Sequence, residues 1–119
     1  KKKVYQTYYN KMDVKNSKDI KAKLGKIKGK IDVLLDDSTH EFEDQIRIIK
    51  NSYKFLKKDG IIIIEDIHRY KKSHKEENYF KELKTIKKHF FEIIFLESYN
   101  TNNFTASWHN EKILLLVKK

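Results

Sequence analysis

Residues 31–66 read IDVLLDDSTHEFEDQIRIIKNSYKFLKKDGIIIIED, and the fold turns on this stretch. Two short aliphatic runs, Ile31 to Leu35 and Ile61 to Ile64, are each followed at once by two acids, Asp36-Asp37 and Glu65-Asp66. Apolar runs of this length, bounded by turn residues, predict strands covered on both faces. Between them, Phe42, Ile46, Ile49, Tyr53 and Leu56 fall at spacings of 4, 3, 4 and 3, one apolar stripe at helical period. Ser38-x-x-Glu41 has capping-box spacing at the start of that helix, and Asp59-Gly60 offers a stop. A strand, a helix-length crossover and a second strand predict a parallel pair.

The flanks extend the pattern. Upstream, Val4 to Tyr9 is β-branched and aromatic and reads as a strand; Ser17 to Leu24 is a short Lys-rich helix, followed by a turn over Gly25 to Lys30. Downstream, a polar and basic loop from His68 to Lys75 leads into a helix with Tyr79 or Phe80, Leu83, Ile86 and Phe90 inward. Glu92 to Leu96 and Lys112 to Val117 read as the last strands, joined by an Asn-rich loop without a helix. This order predicts an α/β fold with a mostly parallel sheet, helices on both faces, and an antiparallel final pair at the sheet edge. Ligands of such sheets sit beyond the carboxyl ends of the strands, where both acid pairs lie.

Composition narrows the function classes. At 119 residues, 39% hydrophobic and 37% charged, the chain suits one globular domain. Its longest apolar runs, Ile113 to Val117 and Ile61 to Ile64, are too short to cross a bilayer, and no apolar segment of signal-peptide kind follows Lys1-Lys2-Lys3. The absence of cysteine excludes disulfides, thiolate metal sites and cysteine nucleophiles; it suits a reducing compartment, and a cytoplasmic location is expected. The net charge of +10 has two readings. It can be the footprint of a polyanion, or the product of a base-composition bias that enriches Lys, Ile and Asn. One contiguous basic face would favour the first, an even scatter the second. The chain opens on Lys rather than Met, which suggests a piece of something longer.

The acid pairs carry the chemistry. A strand core of Leu and Ile needs no acids at its tip, and four carboxylates close together repel unless a cation or hydrogen bonds compensate. Hard oxygen ligands suit Mg²⁺, Ca²⁺ or Mn²⁺. The bland alternative is solvated turn residues, with Asp37 capping the next helix. His40, three residues beyond Asp37, is placed to take a proton at physiological pH.

Asp32-Val-Leu-Leu-Asp36-Asp37-Ser-Thr-His40 together with Leu56-Lys-Lys-Asp59-Gly60 and the run ending in Glu65-Asp66 resembles a known family. It is similar to the metal-dependent sugar O-methyltransferases of the macrocin type and to cephalosporin hydroxylase-like proteins. The 28 residues from Asp37 to Glu65 match the acid spacing of catechol-type O-methyltransferases as well. The likeness is strong over residues 31–66 and weak elsewhere. It implies a Rossmann-like methyltransferase fold, S-adenosylmethionine and Mg²⁺ or another divalent cation as cofactors, and a hydroxylated small molecule such as a sugar as acceptor. It further implies Asp37, Glu65 and Asp66 as metal ligands, His40 as general base, and Asp13 and Asp36 as cofactor contacts. Trp108 to Lys112 resembles the segment leading into the family's final strand. Ser38 and Asp59 stand where the family has glycine. The family's glycine-rich loop and ribose-binding acid have no counterpart here, so the N-terminal strands of the fold are expected to be missing, and this chain alone is expected to bind the cofactor weakly.

Two other classes compete. A P-loop ATPase is excluded by Gly25-Lys-Ile-Lys-Gly29-Lys30, which has the wrong spacing, lacks a following Ser or Thr, and precedes a strand. A non-catalytic domain binding nucleic acid or another polyanion rests on the net charge and on the interleaved loop His68-Arg69-Tyr70-Lys71-Lys72.

Overall fold

The computed structural model describes residues 6–98 and 111–119. The elements are α1 (Ser17–Gly25), β1 (Ile31–Asp36), α2 (Phe42–Ser52), β2 (Leu56–Ile64), α3 (Glu76–Leu83), β3 (Phe90–Glu97) and β4 (Lys112–Lys118). Single 3₁₀ turns at Tyr53–Phe55, Lys72–His74 and Lys87–His89 join them. The fold is α/β, built on a four-stranded sheet of order β1-β2-β4-β3.

The β1–β2 pair is parallel, with Leu34 opposite Ile62 and Asp36 opposite Ile64. β4 is antiparallel to both β2 and β3, so β1, β2 and β3 all point the same way. One expectation needs correcting: the sheet is mixed rather than mostly parallel in its pairings. The last two strands form the expected antiparallel pair at the sheet edge, with β3 outermost and β4 between it and β2. An antiparallel strand can be inserted there because the connection from β3 needs no crossover.

One face of the sheet carries the core. Ile62, Ile64, Leu114 and Leu116 are fully buried and pack with Ile20 of α1, Ile46 and Ile49 of α2, and Tyr79 and Leu83 of α3. On the opposite face, Val33, Ile61 and Val117 form one cross-strand row, and Leu35, Ile63, Leu115 and Ile94 the next. None of these belongs to the core cluster, and Val33 and Leu35 are each 55% exposed. Helices therefore cover one face among the described residues, not two, and β1 is not covered on both faces.

α2 and α3 both end earlier than their stripes imply. α2 stops at Ser52, Tyr53 enters a 3₁₀ turn, and Leu56 opens β2 opposite Ile31. Tyr53 and Leu56 are buried as expected, so core position is kept while the backbone changes. Asp59-Gly60 sits inside β2, where the register shifts; Asp59 has φ 63°, and a Cβ on Gly60 would stand 2.9 Å from the Lys57 carbonyl oxygen. Likewise α3 ends at Leu83, Ile86 lies in a turn, and Phe90 begins β3. The expected capping box does not form: the residue capping α2 is Glu41, without a side-chain cap bond. The expected strand at Val4 to Tyr9 is not seen over residues 6–9, where Tyr8 and Tyr9 are exposed; residues 4 and 5 lie outside the described residues. Aromatic and β-branched residues form a strand only with a neighbour to pair with. Positions 108–110 of the final-strand motif also lie outside the described residues, while Lys112 starts β4 as expected.

Candidate metal centre

β1 and β2 run parallel and in register to Asp36 and Ile64, so the residues that follow emerge side by side. The Glu65 backbone N–H donates to the Asp36 carbonyl at 2.9 Å and carries the pairing one residue further. Beyond it, the chain turns at Asp66 with φ 54°, and opposite, at His40 with φ 59°. Non-glycine residues in this region are uncommon and cluster where surrounding structure holds them.

Those two turns bring three side chains together. His40 Nε2 lies 3.0 Å from Asp37 Oδ1 and 3.2 Å from Asp66 Oδ2. One ligand atom from each of Asp37, His40 and Asp66 lies within 4.8 Å of the others. Two carboxylates and an imidazole form a donor set that suits a divalent cation. Of the residues read from the sequence, Asp37, Asp66 and His40 converge; Glu65 is outside this group. Glu65 contributes through its backbone, its carbonyl accepting from Gln45 Nε2 at 3.2 Å.

Asp36 and Asp13 behave differently from their neighbours. Asp36 is buried, its Oδ1 accepts from Ser38 Oγ at 2.6 Å, and burial pushes its carboxyl above the usual range, against that hydrogen bond. It lines an open groove of about 420 Å³ with Met12, Val14, Leu34 and Ile48, and Asp37 lines the same groove. Asp13 is exposed; its Oδ1 accepts from the Lys15 N–H at 2.9 Å, closing a turn ahead of α1. Met12 and Val14, its neighbours, supply the groove wall.

A buried polar layer behind the site was not legible in the sequence. His74 is 2% exposed, and its Nε2 lies 2.8 Å from the His40 carbonyl oxygen, fixing the turn that aims the His40 ring. Tyr79 donates to Gln45 Oε1 at 2.5 Å, so Gln45 ties α3 to the Glu65 carbonyl; burial raises the Tyr79 hydroxyl pKa strongly. Thr39 Oγ1 donates to Asp44 Oδ2 at 2.7 Å, and Arg47 pairs with the other oxygen. Burial opposes ionisation of Asp44, yet these two partners hold its carboxyl below the usual range.

In the basic loop at 68–72, Arg69 and His68 are tied into the fold, while Tyr70, Lys71 and Lys72 are exposed. Arg69 binds Glu97 at 2.6 Å and the carbonyls of Ser98 and Glu111. His68 Nδ1 accepts from the N–H groups of Tyr70 and Lys71. Lys112, 7% exposed, bonds Glu76 at 2.9 Å and Glu97 at 3.0 Å. No helix among the described residues is long and apolar enough to cross a membrane. No protein-family model matches the chain, and no curated protein matches it significantly.

Proposed function

We propose that the chain forms a Rossmann-like, S-adenosylmethionine-dependent O-methyltransferase domain assisted by a divalent metal, with a hydroxylated small molecule such as a sugar as acceptor. The observation that carries the reading is the convergence of Asp37, His40 and Asp66 beyond the carboxyl ends of two parallel strands. That is where open α/β sheets bind their ligands. The antiparallel final strand agrees with the same fold. The groove beside Asp37 has a volume in the range of small-molecule sites, and its apolar walls leave Asp36, Asp37 and Ser38 as its polar contacts.

In this reading Asp37, His40 and Asp66 hold the ion. Bound there, a divalent cation supplies Lewis-acid chemistry, lowering the pKa of an acceptor hydroxyl and orienting it. The roles implied by the family resemblance are thereby redistributed: His40 joins the ligands, and Glu65 orders the loop through its backbone. His74 is a positioning residue that holds the His40 carbonyl. Asp36, neutral more readily than an exposed acid, is placed to share hydrogen bonds with a ligand in the groove.

Calorimetric titration with Mn²⁺ tests the assignment. Asp37→Asn, His40→Ala and Asp66→Asn should each abolish measurable binding, and Glu65→Gln should leave it nearly intact. A Glu65→Gln loss equal to that of Asp37→Asn, with His40→Ala still binding, would restore Glu65 as ligand and His40 as base. Absence of Mn²⁺ binding by the wild type would remove the metal altogether. Transfer of a labelled methyl group to a panel of sugars, in the full-length protein, tests the reaction.

A further inference from the structure

Many of the lysines meet at one end of the sheet. Because β1, β2 and β3 point the same way, the segments leading into them gather at one end of the sheet, where β4 also finishes. Lys26, Lys28 and Lys30 precede β1; Lys54, Lys57 and Lys58 lie at the start of β2. Lys84, Lys87 and Lys88 precede β3, and Lys118 and Lys119 end β4.

Direct contacts make these segments one surface. The Gly29 N–H donates to the Phe55 carbonyl at 2.9 Å, joining the first to the second. Tyr53 stacks on His89 with ring centroids 5.2 Å apart, joining the second to the third. The Lys119 N–H donates to the His89 carbonyl at 2.9 Å, joining the third to the fourth.

Lysines outnumber acids at this end. Asp32 is paired with Lys57 at 3.0 Å and Glu82 with Lys50 at 2.8 Å, leaving Asp59 and Glu92 as the remaining acids nearby. Lys26, Lys28, Lys30, Lys58, Lys87 and Lys88 are exposed and have no ion pair among the described residues. At the opposite end, Arg69, Lys71 and Lys112 face carboxylates, while Lys72 and Lys75 are exposed without an ion pair among the described residues. Phe91, 54% exposed, stands beside the Lys119 ammonium, which lies 5.9 Å from the ring centroid.

We propose that the amino-end pole of the sheet binds single-stranded nucleic acid, its lysines along the phosphates and Phe91 against a base. Clustered ammonium groups release counterions from a phosphate backbone, and an exposed aromatic beside them gives a stacking platform. The surface is remote from the metal centre and does not depend on the methyltransferase reading.

The test is fluorescence anisotropy with a labelled oligothymidylate across a salt series. Lys26→Gln/Lys28→Gln/Lys30→Gln and Lys58→Gln/Lys87→Gln/Lys88→Gln should each weaken binding at least about tenfold and flatten the log–log salt slope by about 2, near 0.7 per lost phosphate contact. The control set Lys71→Gln/Lys72→Gln/Lys75→Gln, at the other end, should change affinity less than about twofold. Phe91→Ala should weaken binding without altering the slope. An equal loss in the control set overturns the proposal, as does polyglutamate or a phosphatidylserine vesicle binding as tightly as the oligonucleotide. The wild-type salt series decides the matter even where a triple variant misfolds: a slope near zero rules out a phosphate-tracking surface.

Discussion

Replacing one acid of the candidate metal centre should stabilise the protein in chelator and destabilise it, relative to wild type, in metal. Asp37 and Asp66 each bring a carboxylate oxygen to a site whose ligand atoms lie within 4.8 Å of one another. Two unit charges at that distance repel by about 0.9 kcal/mol in water and about 3.5 kcal/mol at an effective dielectric near 20. The side chains are 58% and 29% exposed, so screening favours the lower figure, about 1 kcal/mol. Asn keeps an acceptor oxygen, so the His40 hydrogen bond at 3.0 Å survives Asp37→Asn while the repulsion is lost. With chelator on the alkaline side of neutrality, Asp37→Asn and Asp66→Asn should melt roughly 4 °C above wild type. Mn²⁺ at about a hundred times its Kd should add about 2.7 kcal/mol to wild type and little to either variant, reversing the order. Scanning calorimetry with and without metal reads both effects. Variants that melt below wild type in chelator would show that the acids serve as structural partners of His40, and a metal shift common to all three proteins would place the ion elsewhere.

Three further outcomes follow from the fold. Gly60→Ala should cost about 1–3 kcal/mol in urea unfolding, because the new methyl meets the Lys57 and Ile31 carbonyl oxygens at 2.9 and 3.2 Å; a neutral result would mean the β2 irregularity relaxes freely. Ile64→Ala, in the core, should cost about 2–5 kcal/mol, whereas Ile63→Ala, on the opposite face, should cost roughly 1 kcal/mol; equal losses would contradict the one-sided core. Burial raises the Asp36 pKa, so the unfolded chain releases its proton first and stability falls as pH rises through that interval. Asp36→Asn should therefore stabilise at neutral pH, with the gain fading as pH drops to the usual carboxylate range; a gain independent of pH would point to packing instead.

Much of the strand framework was legible because local pattern and tertiary role agree there. Ile31 to Leu35 and Ile61 to Ile64 are strands, parallel as a helix-length crossover requires, and one acid after each, Asp37 and Asp66, comes together with its counterpart. The end of α2 was not legible, since Tyr53 and Leu56 continue the helical stripe and remain buried after the backbone has left the helix. Periodicity reports which residues are inside, not which backbone carries them. The inner support of the site was hidden for a different reason. His74 meets His40 across 34 residues, and Gln45 meets the Glu65 carbonyl across 20. A lone loop histidine and a helical glutamine carry no local mark of such partners. Glu65 and Asp66 could not be told apart by position, because the left-handed turn at Asp66 decides which of them swings towards Asp37.

The bare face of the sheet and the position of the groove have a common origin in the direction of the crossovers. From β1 to β2 and from β2 to β3 the chain steps the same way across the sheet, and right-handed crossovers in one direction deliver their helices to one face. α2 and α3 land there, and α1 packs against α2. Covering Val33, Leu35, Ile61 and Ile63 takes crossovers in the opposite direction, which can start only from the free edge of β1. Such a reversal opens a crevice at the carboxyl end of the strand where it occurs. The groove formed by Met12, Leu34, Asp36 and Asp37 lies at the carboxyl end of β1. Asp37, shared by the groove and the candidate metal centre, stands where charge and cavity coincide at the carboxyl end of β1.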